Sequence, residues 1–480
     1  MAPRNPTGRT VGRRTAMRKT PVLILFALAL ALGAASPAPA GPDQGPDYKA
    51  AVDKLRDAGL PGERAYEILG RICSAGPRLT GSDGAAAAVE VSRALMAELG
   101  LERVHTEPVE VGRWSRGDIA EAAIAPAASR SSLPLAVCAL GGSVGTPAGG
   151  LTAPVIEVLS LDEVAALGPA VKGKIVFYNR PMDRRNADPF AAYGGAADQR
   201  VSGAAAAARF GAAAVLVRSL TFRKDRYPHT GMLRYDPGIP AIPAAAISTA
   251  DADILSGLLK KEKDVAVSLR LNCRDRGRVV SANVVGEITG AELPGEIVLL
   301  GGHLDSWDLG VGAHDDGAGC AAALEAVALL RDLGLRPRRT VRVVFFMDEE
   351  FGGTGGRAYA AAPQRKGERH LAAAESDRGG FAPVALAIGR DRKMTDRISA
   401  FADLFKPFGV SFMVPGGGGV DVAPLVNAGA VPAAVLVNAQ TYFDVHHSAL
   451  DVVSSVSPRE LELQAVILAA LAYILAQEGP

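Results

Sequence analysis

Residues 297–305, Ile-Val-Leu-Leu-Gly-Gly-His303-Leu-Asp305, place a short apolar run directly before a histidine and a carboxylate, and ten residues later the chain reads Asp315-Asp316-Gly317. Four consecutive aliphatic residues before a glycine pair read as a buried strand. The same arrangement recurs three times. Residues 341–346 precede Met347-Asp348-Glu349-Glu350, residues 371–374 precede Glu375-Ser376-Asp377, and residues 435–437 precede Tyr442-Phe443-Asp444-Val445-His446-His447-Ser448. Between the first two strands, Cys320, Leu324, Val327 and Leu330 fall at steps of four and three, the buried stripe of a helix. Strands alternating with helices predict an α/β fold with a largely parallel sheet covered on both faces. In open α/β sheets ligands gather beyond the carboxyl ends of the strands, so the four clusters are expected to converge. One Asp-Asp or Glu-Glu pair would read as a solvated turn; four such clusters, each at a strand end, read as a site.

Outward from this core, residues 48–105 are expected to form two amphipathic helices around a loop at 76–82. From about 144 the texture changes to short apolar strands (174–178, 214–217, 244–247) set among Ala-rich helices and an Arg-rich loop at 218–236. That segment has no catalytic-looking cluster and suits an inserted module. At the other end, Ser457-Pro458-Arg459-Glu460 announces a closing helix with an N-cap, a proline at N1 and a capping-box Glu. The expected organisation is a signal peptide at 1–40, the first part of a catalytic domain at 41–143, an insert at 144–272, and the main catalytic domain at 273–480.

Residues 22–32 form an apolar run of eleven, about half of what spans a bilayer. Basic residues precede it and Ala38-Pro39-Ala40 follows it, so a secretory signal peptide cleaved near Ala40 is expected, with export to a periplasmic or extracellular space. Met17 is an alternative start. All six basic residues of 1–40 stand without an acid; without them 46 basic residues face 51 acidic ones, a net charge of −5. Such a balance disfavours a nucleic-acid partner. No stable membrane span is expected in the mature chain, and a homodimer is left open. A composition of 48% hydrophobic and 21% charged residues excludes wholesale disorder. Cys73, Cys138, Cys273 and Cys320 form no CxxC pair, which excludes a thiolate zinc site and leaves room for one bridge.

Imidazole and carboxylate without thiolate suit catalytic zinc with an open position for water. Two metals close together lower the pKa of shared water and polarise a carbonyl. A carboxylate that is not a ligand then takes the proton, and adjacent Glu349 and Glu350 offer one base and one ligand.

The segments HLDSWD (303–308), GAHDDGAG (312–319), FMDEEFGG (346–353), ESD (375–377) and HHSALD (446–451) resemble the five signatures of the co-catalytic di-zinc exopeptidases, a family holding bacterial aminopeptidases and glutamate carboxypeptidases. GPRLTGS (76–82), RVHTEPV (103–109), WSRG (114–117), KGKIVFYN (172–179), PHTG (228–231) and DLGLRPRRTVRVV (332–344) extend the resemblance over roughly 50–478, toward its carboxypeptidase-Q-like branch. The resemblance implies a zinc-exopeptidase domain, with a mixed, mainly parallel sheet between helices, interrupted by a protease-associated insert. It implies two zinc ions, with Asp315 as bridging carboxylate, His303 and Asp377 completing one site and Glu350 and His447 the other. Glu349 becomes the general base for a bridging hydroxide, and Asp305 a partner that fixes the tautomer of His303. His447 is preferred over His446 because the family's ligand directly precedes Ser or Thr. His314 and Asp348 depart from the pattern: the first either leans toward the metals or is a loop histidine, the second either tunes the site or is solvated. The implied function is hydrolysis of short peptides, chiefly unblocked dipeptides.

Gly141-Gly142-Ser143-Val144-Gly145 matches a nucleophile elbow, but Thr-Pro-Ala-Gly-Gly follows it and cannot open the helix that motif demands. Arg223-Lys224-Asp225-Arg226 reads as a solvated loop or a cleft border, and Trp307 as a cleft wall or packing. Rival functions are an aminopeptidase with the same metals, a glutaminyl-cyclase-like acyl transferase, and a transferrin-receptor-like binding protein. The last class loses metal ligands, and here all five positions and the base are filled.

Overall fold

At the centre of the molecule the four apolar runs that precede the acidic clusters lie side by side as parallel strands. The computed structural model describes residues 46–126, 131–410 and 412–480; the expected signal peptide at 1–40 lies outside the described residues.

Three helices come first, Tyr48–Gly59, Arg64–Cys73 and Asp83–Glu98. The expected first helix is therefore two: Pro61 and Gly62 fall between them, and proline both lacks an N–H and clashes with the preceding turn. The expected second helix stops at Glu98, and by Glu102 the chain is a strand, β1 (Glu102–Ser115). It then builds a second sheet from β2 (Ala120–Ile124), β3 (Leu133–Leu135), β4 (Val137–Ala139), β5 (Leu151–Val158), β6 (Ile175–Tyr178), β7 (Ala214–Arg218), β8 (Ala244–Ile247) and β9 (Ala266–Leu271). It returns through β10 (Arg274–Ile288), β11 (Leu293–His303), β12 (Arg339–Phe346), β13 (Arg369–Glu375), β14 (Pro383–Ile388), β15 (Phe412–Val414) and β16 (Val431–Val437).

The first sheet runs β1-β10-β12-β11-β13-β16-β14-β15. Its centre, β12-β11-β13-β16, is parallel, whereas β10, β1 and β14 join antiparallel, so the sheet is mixed. Register fixes the site. His303 pairs with Phe346 and Gly301 with Glu375, so His303, Asp348–Glu350 and Ser376–Asp377 all emerge at one edge.

The helix Ala318–Asp332 is buried on every side from Ala318 to Leu330 rather than along one stripe. It lies among the sheet, Arg64–Cys73 and the closing helix Pro458–Glu478, and a helix apolar all round belongs in such a place. Ser457 caps that closing helix, its hydroxyl accepting the Glu460 N–H at 3.4 Å, with Pro458 at N1. Pro458–Glu478 is long and apolar enough to cross a membrane, but 83% of its apolar window is buried inside the protein.

The second sheet runs β3-β2-β9-β5-β6-β7-β8-β4, with β5 to β8 parallel. The strands expected at 174–178, 214–217 and 244–247 are β6, β7 and β8. The texture change at 144 falls within this sheet, since β2, β3 and β4 precede it. The four cysteines are free and buried, so none forms the bridge their number left room for.

Candidate metal centre

Asp315 sits between the turn at Gly312 and the helix Ala318–Asp332, and its two oxygens face opposite ways. Oδ1 lies 3.2 Å from Nε2 of His303; Oδ2 lies 3.2 Å from Nε2 of His447. Asp377 completes the first side, 3.8 Å from His303 Nε2, and Glu350 the second, 3.1 Å from His447 Nε2. The structure thus brings together all five expected ligand residues. Asp315 Oδ2 and Glu350 Oε1 are buried without a hydrogen-bond partner. Carboxylate lone pairs left bare in an interior are costly unless a cation takes them. Imidazole and carboxylate donors with orphaned oxygens fit a divalent cation such as zinc.

Electrostatics divide the two adjacent histidines. Their rings stack at 3.6 Å. Burial pulls both down, but the neighbouring carboxylates, Glu350 first and Asp315 with it, outweigh it at His447, which ends well above the ordinary imidazole range. At His446 burial and the His447 charge win, and it ends well below. Distance alone separates them less clearly, because His446 Nε2 also reaches Asp315 Oδ2, at 3.4 Å. The contact to Glu350 is made by His447. Asp316 approaches His303 and Asp377, yet its oxygens accept the backbone N–H groups of His303 (3.1 Å) and Gly319 (3.1 Å), so it braces the helix start.

Asp305 departs from its expected role. The Nδ1 of His303 faces the Asp305 backbone carbonyl at 3.0 Å, whereas the nearest carboxylate oxygen is 3.8 Å away. The tautomer is therefore set by the main chain. The carboxylate instead accepts the N–H groups of Asp348 (2.8 Å), Glu349 (3.1 Å) and Glu350 (3.3 Å) and the hydroxyl of Thr80 (2.6 Å). It fixes the turn that carries Glu349 and Glu350.

A cavity of about 390 Å³ opens on this cluster, lined by Asp315, Glu349, Glu350, Asp377, His446 and His447 on one side. Glu349 is half-buried there.

Other candidates find structural places. His314 stacks on Phe381 at 4.4 Å, accepts the Gly380 N–H at Nδ1 and faces the Ser455 carbonyl; burial pushes it down to about 4. It is a loop histidine. Asp348 holds a positive φ of 76° at the turn, and burial pushes its carboxyl up to about 6. Trp307 is buried between Phe351 (5.0 Å) and His447 (5.6 Å), walling the His447 ring. The Ser143 hydroxyl is spent on Val144 and Ala244, so the elbow-like segment is not a nucleophile. Arg223 pairs with Asp225 and Arg226 with Asp251.

Sequence reading missed the residues that hold this cluster in place. Arg78 is fully buried, and its guanidinium donates to the carbonyls of Leu304 (2.6 Å), Gly312 (2.9 Å) and Val311, clamping the loop between His303 and Asp315. Asp451 accepts the N–H groups of His314 (2.7 Å) and Asp315 (3.2 Å). From the second sheet, His229 Nδ1 donates to the His446 carbonyl at 2.7 Å. Their only signal in sequence is membership of the segments GPRLTGS, HHSALD and PHTG.

Fold and cluster together define a buried imidazole–carboxylate centre at the carboxyl edge of a mixed α/β sheet. The model of peptidase family M28 matches residues 283–472, which hold every one of these ligands. The chain is 35% identical to carboxypeptidase Q of Bos taurus over 431 residues, covering 90% of this chain and 89% of that protein. The Peptidase M28 precursor from Shewanella amazonensis superposes with a TM-score of 0.86 at 36% identity, covering 90% of this chain and 97% of that one. A zinc aminopeptidase from Bacillus subtilis shares the fold at a TM-score of 0.63 and 20% identity, covering 87% of this chain and 96% of that one. The chain belongs to peptidase family M28, with carboxypeptidase Q among its homologues.

Proposed function

We infer that this chain is an exported zinc metallopeptidase that hydrolyses short peptides, with the second sheet serving as a protease-associated insert beside the cleft. The observation that carries the reading is Asp315, whose two oxygens face His303 and His447 separately inside one cavity with Glu349. His303, Asp315 and Asp377 would hold one zinc ion, and His447, Glu350 and Asp315 a second. Paired zinc ions supply Lewis acidity, lowering the pKa of water and polarising the scissile carbonyl.

The protein's own groups do the rest. Glu349 takes the proton of the attacking water and delivers it to the amine nitrogen as the C–N bond breaks, leaving a carboxylate and a free amine. Asp305 keeps Glu349 in place through its backbone N–H. Trp307 packs beside His447 with Phe351 against its own ring, and this apolar wall keeps bulk water from that side. Metal content by mass spectrometry together with a dipeptide panel tests the reading. About two zinc equivalents and chelator-sensitive hydrolysis are expected; full activity without metal would overturn it. An aminopeptidase on the same metals would trim long peptides and fail on N-acetylated ones.

A further inference from the structure

The chain passes from the first sheet to the second at Arg116, between β1 and β2, and returns between β9 and β10. The two passages lie tightly together. Asn272 on the return accepts the Ile119 N–H at 2.9 Å and donates to Asp118 at 2.7 Å, and a Cβ on Gly117 would fall 2.0 Å from the Asn272 side chain. Arg116 is buried at this join, and all three of its guanidinium nitrogens are used. Nε and Nη2 donate to one oxygen of Asp308, at 2.9 and 2.6 Å. Nη1 donates to the Ala139 carbonyl and, at 3.2 Å, to the Thr230 hydroxyl. The guanidinium carbon lies 5.1 Å from the ring centre of Trp114 and 5.9 Å from that of Trp307.

Two of these contacts lead to the same place. Thr230 is hydrogen-bonded through its N–H to the His447 carbonyl at 2.9 Å, and its own carbonyl lies 3.3 Å from His447 Nδ1. Trp307 lies against the His447 ring, with centres 5.6 Å apart. The imidazole is thus held by a hydrogen bond from one residue and by packing from another, and Arg116 touches both. The pair with Asp308 would by itself fasten one sheet to the other. The bond from Nη1 to Thr230 adds a link toward His447.

We propose that Arg116 is a positioning residue for His447. By holding Thr230 and Trp307 in one arrangement it keeps Nε2 aimed at Asp315 and Glu350, and so sets how tightly the zinc ion assigned to Glu350 and His447 is bound. The inference rests on the metal reading above and adds to it a residue outside the cluster. What meets the second nitrogen of a ligating imidazole governs its orientation and the affinity for metal. The planar fork of a guanidinium serves Asp308, Ala139 and Thr230 at once, which the point charge of a lysine cannot do.

The test is a double-mutant cycle read by zinc affinity, in competition with a chelating dye. Arg116→Ala should weaken one of the two zinc equivalents by about 10–100-fold and leave the other unchanged. Arg116→Lys, which keeps a charge for Asp308, should show a smaller loss at the same equivalent, and it carries the test if Arg116→Ala does not fold. In the His447→Ala background the zinc that remains should be held equally with and without either substitution, because the residue being positioned is gone. Equal weakening of both equivalents, a further loss in the His447→Ala background, or unchanged affinity in both single variants would overturn the assignment. An unmodified protein that binds no zinc would instead remove the metal reading, and this inference with it.

Discussion

Thr230 and His447 are joined at two points, one between main chains and one to the His447 ring. The Thr230 N–H donates to the His447 carbonyl at 2.9 Å, and the Thr230 carbonyl lies 3.3 Å from His447 Nδ1. His447 has a φ of 60°, a region that residues with a Cβ seldom occupy, so its backbone depends on such outside contacts. The Nδ1 contact directs Nε2 toward Asp315 and Glu350. A loop of the second sheet therefore orients His447 beside the first.

His229→Ala removes the neighbouring bond from Nδ1 to the His446 carbonyl without touching a ligand. Outer contacts of this kind are worth about 10–100-fold in metal affinity or activity. Competition with a chelating dye should show zinc held more weakly by about that factor. Unchanged affinity would mean that the loop packs against the site without orienting it.

The two neighbouring glutamates should separate cleanly. Glu349→Gln is expected to keep the metal and lower kcat by about 100- to 10,000-fold, because only proton transfer is removed. Glu350→Gln, which alters the contact to His447, should lose metal as well. Equal metal loss in both would contradict the assignment.

His447→Ala should cost more zinc than His446→Ala. Both rings approach Asp315, at 3.2 and 3.4 Å, but the pairing with Glu350 is made by His447. Mass spectrometry of the two purified variants decides the matter, and the reverse order would move the ligand by one residue.

Asp305→Ala leaves the N–H groups of Asp348, Glu349 and Glu350 without their acceptor. Each orphaned buried donor costs about 1–3 kcal/mol, so a destabilisation on the order of 3 kcal/mol is expected in urea unfolding. Loss of activity should be seen even where the variant remains folded, because the turn carrying Glu349 is no longer fixed.

Glu462 gives a pH dependence far from the metal cluster. Its Oε1 accepts the Ala65 N–H at 2.7 Å, and Oε2 is buried without a partner. Burial, joined by the Glu325 charge, pushes its carboxyl from 4.5 up to about 7. A folded-state value above the unfolded one means that the contribution to stability is whole below 4.5 and is lost as pH rises through about 7. Glu462→Gln keeps the accepting oxygen and removes the charge. Its Tm should exceed that of the unmodified protein at about pH 8 and match it near pH 4.5; a pH-independent difference would contradict the linkage.

The strands bearing the ligands were legible because fully buried parallel strands read as unbroken apolar runs. The residues that cluster beyond them were legible as candidates because they follow the ends of such runs. The contacts that aim them were not. Arg78 works through the carbonyls of Leu304, Val311 and Gly312, and Thr230 through its own main chain, and neither kind of bond marks the side-chain pattern. Asp305 shows the same limit: its type and place were evident, but its carboxylate serves the 348–350 turn rather than the histidine two residues before it. The split of the first helix at Pro61 and Gly62 was missed although both residues are visible, because the apolar spacing continues across them.

The contact between His229 and His446 spans 217 residues of chain. A ribosome makes the loop of the second sheet long before the histidines it orients, so the half-made protein carries a cradle with nothing in it. The cluster around Asp315 is complete only once residues 446–451 have been made. A chain cut short before His446 would therefore lack both stacked histidines that face Asp315.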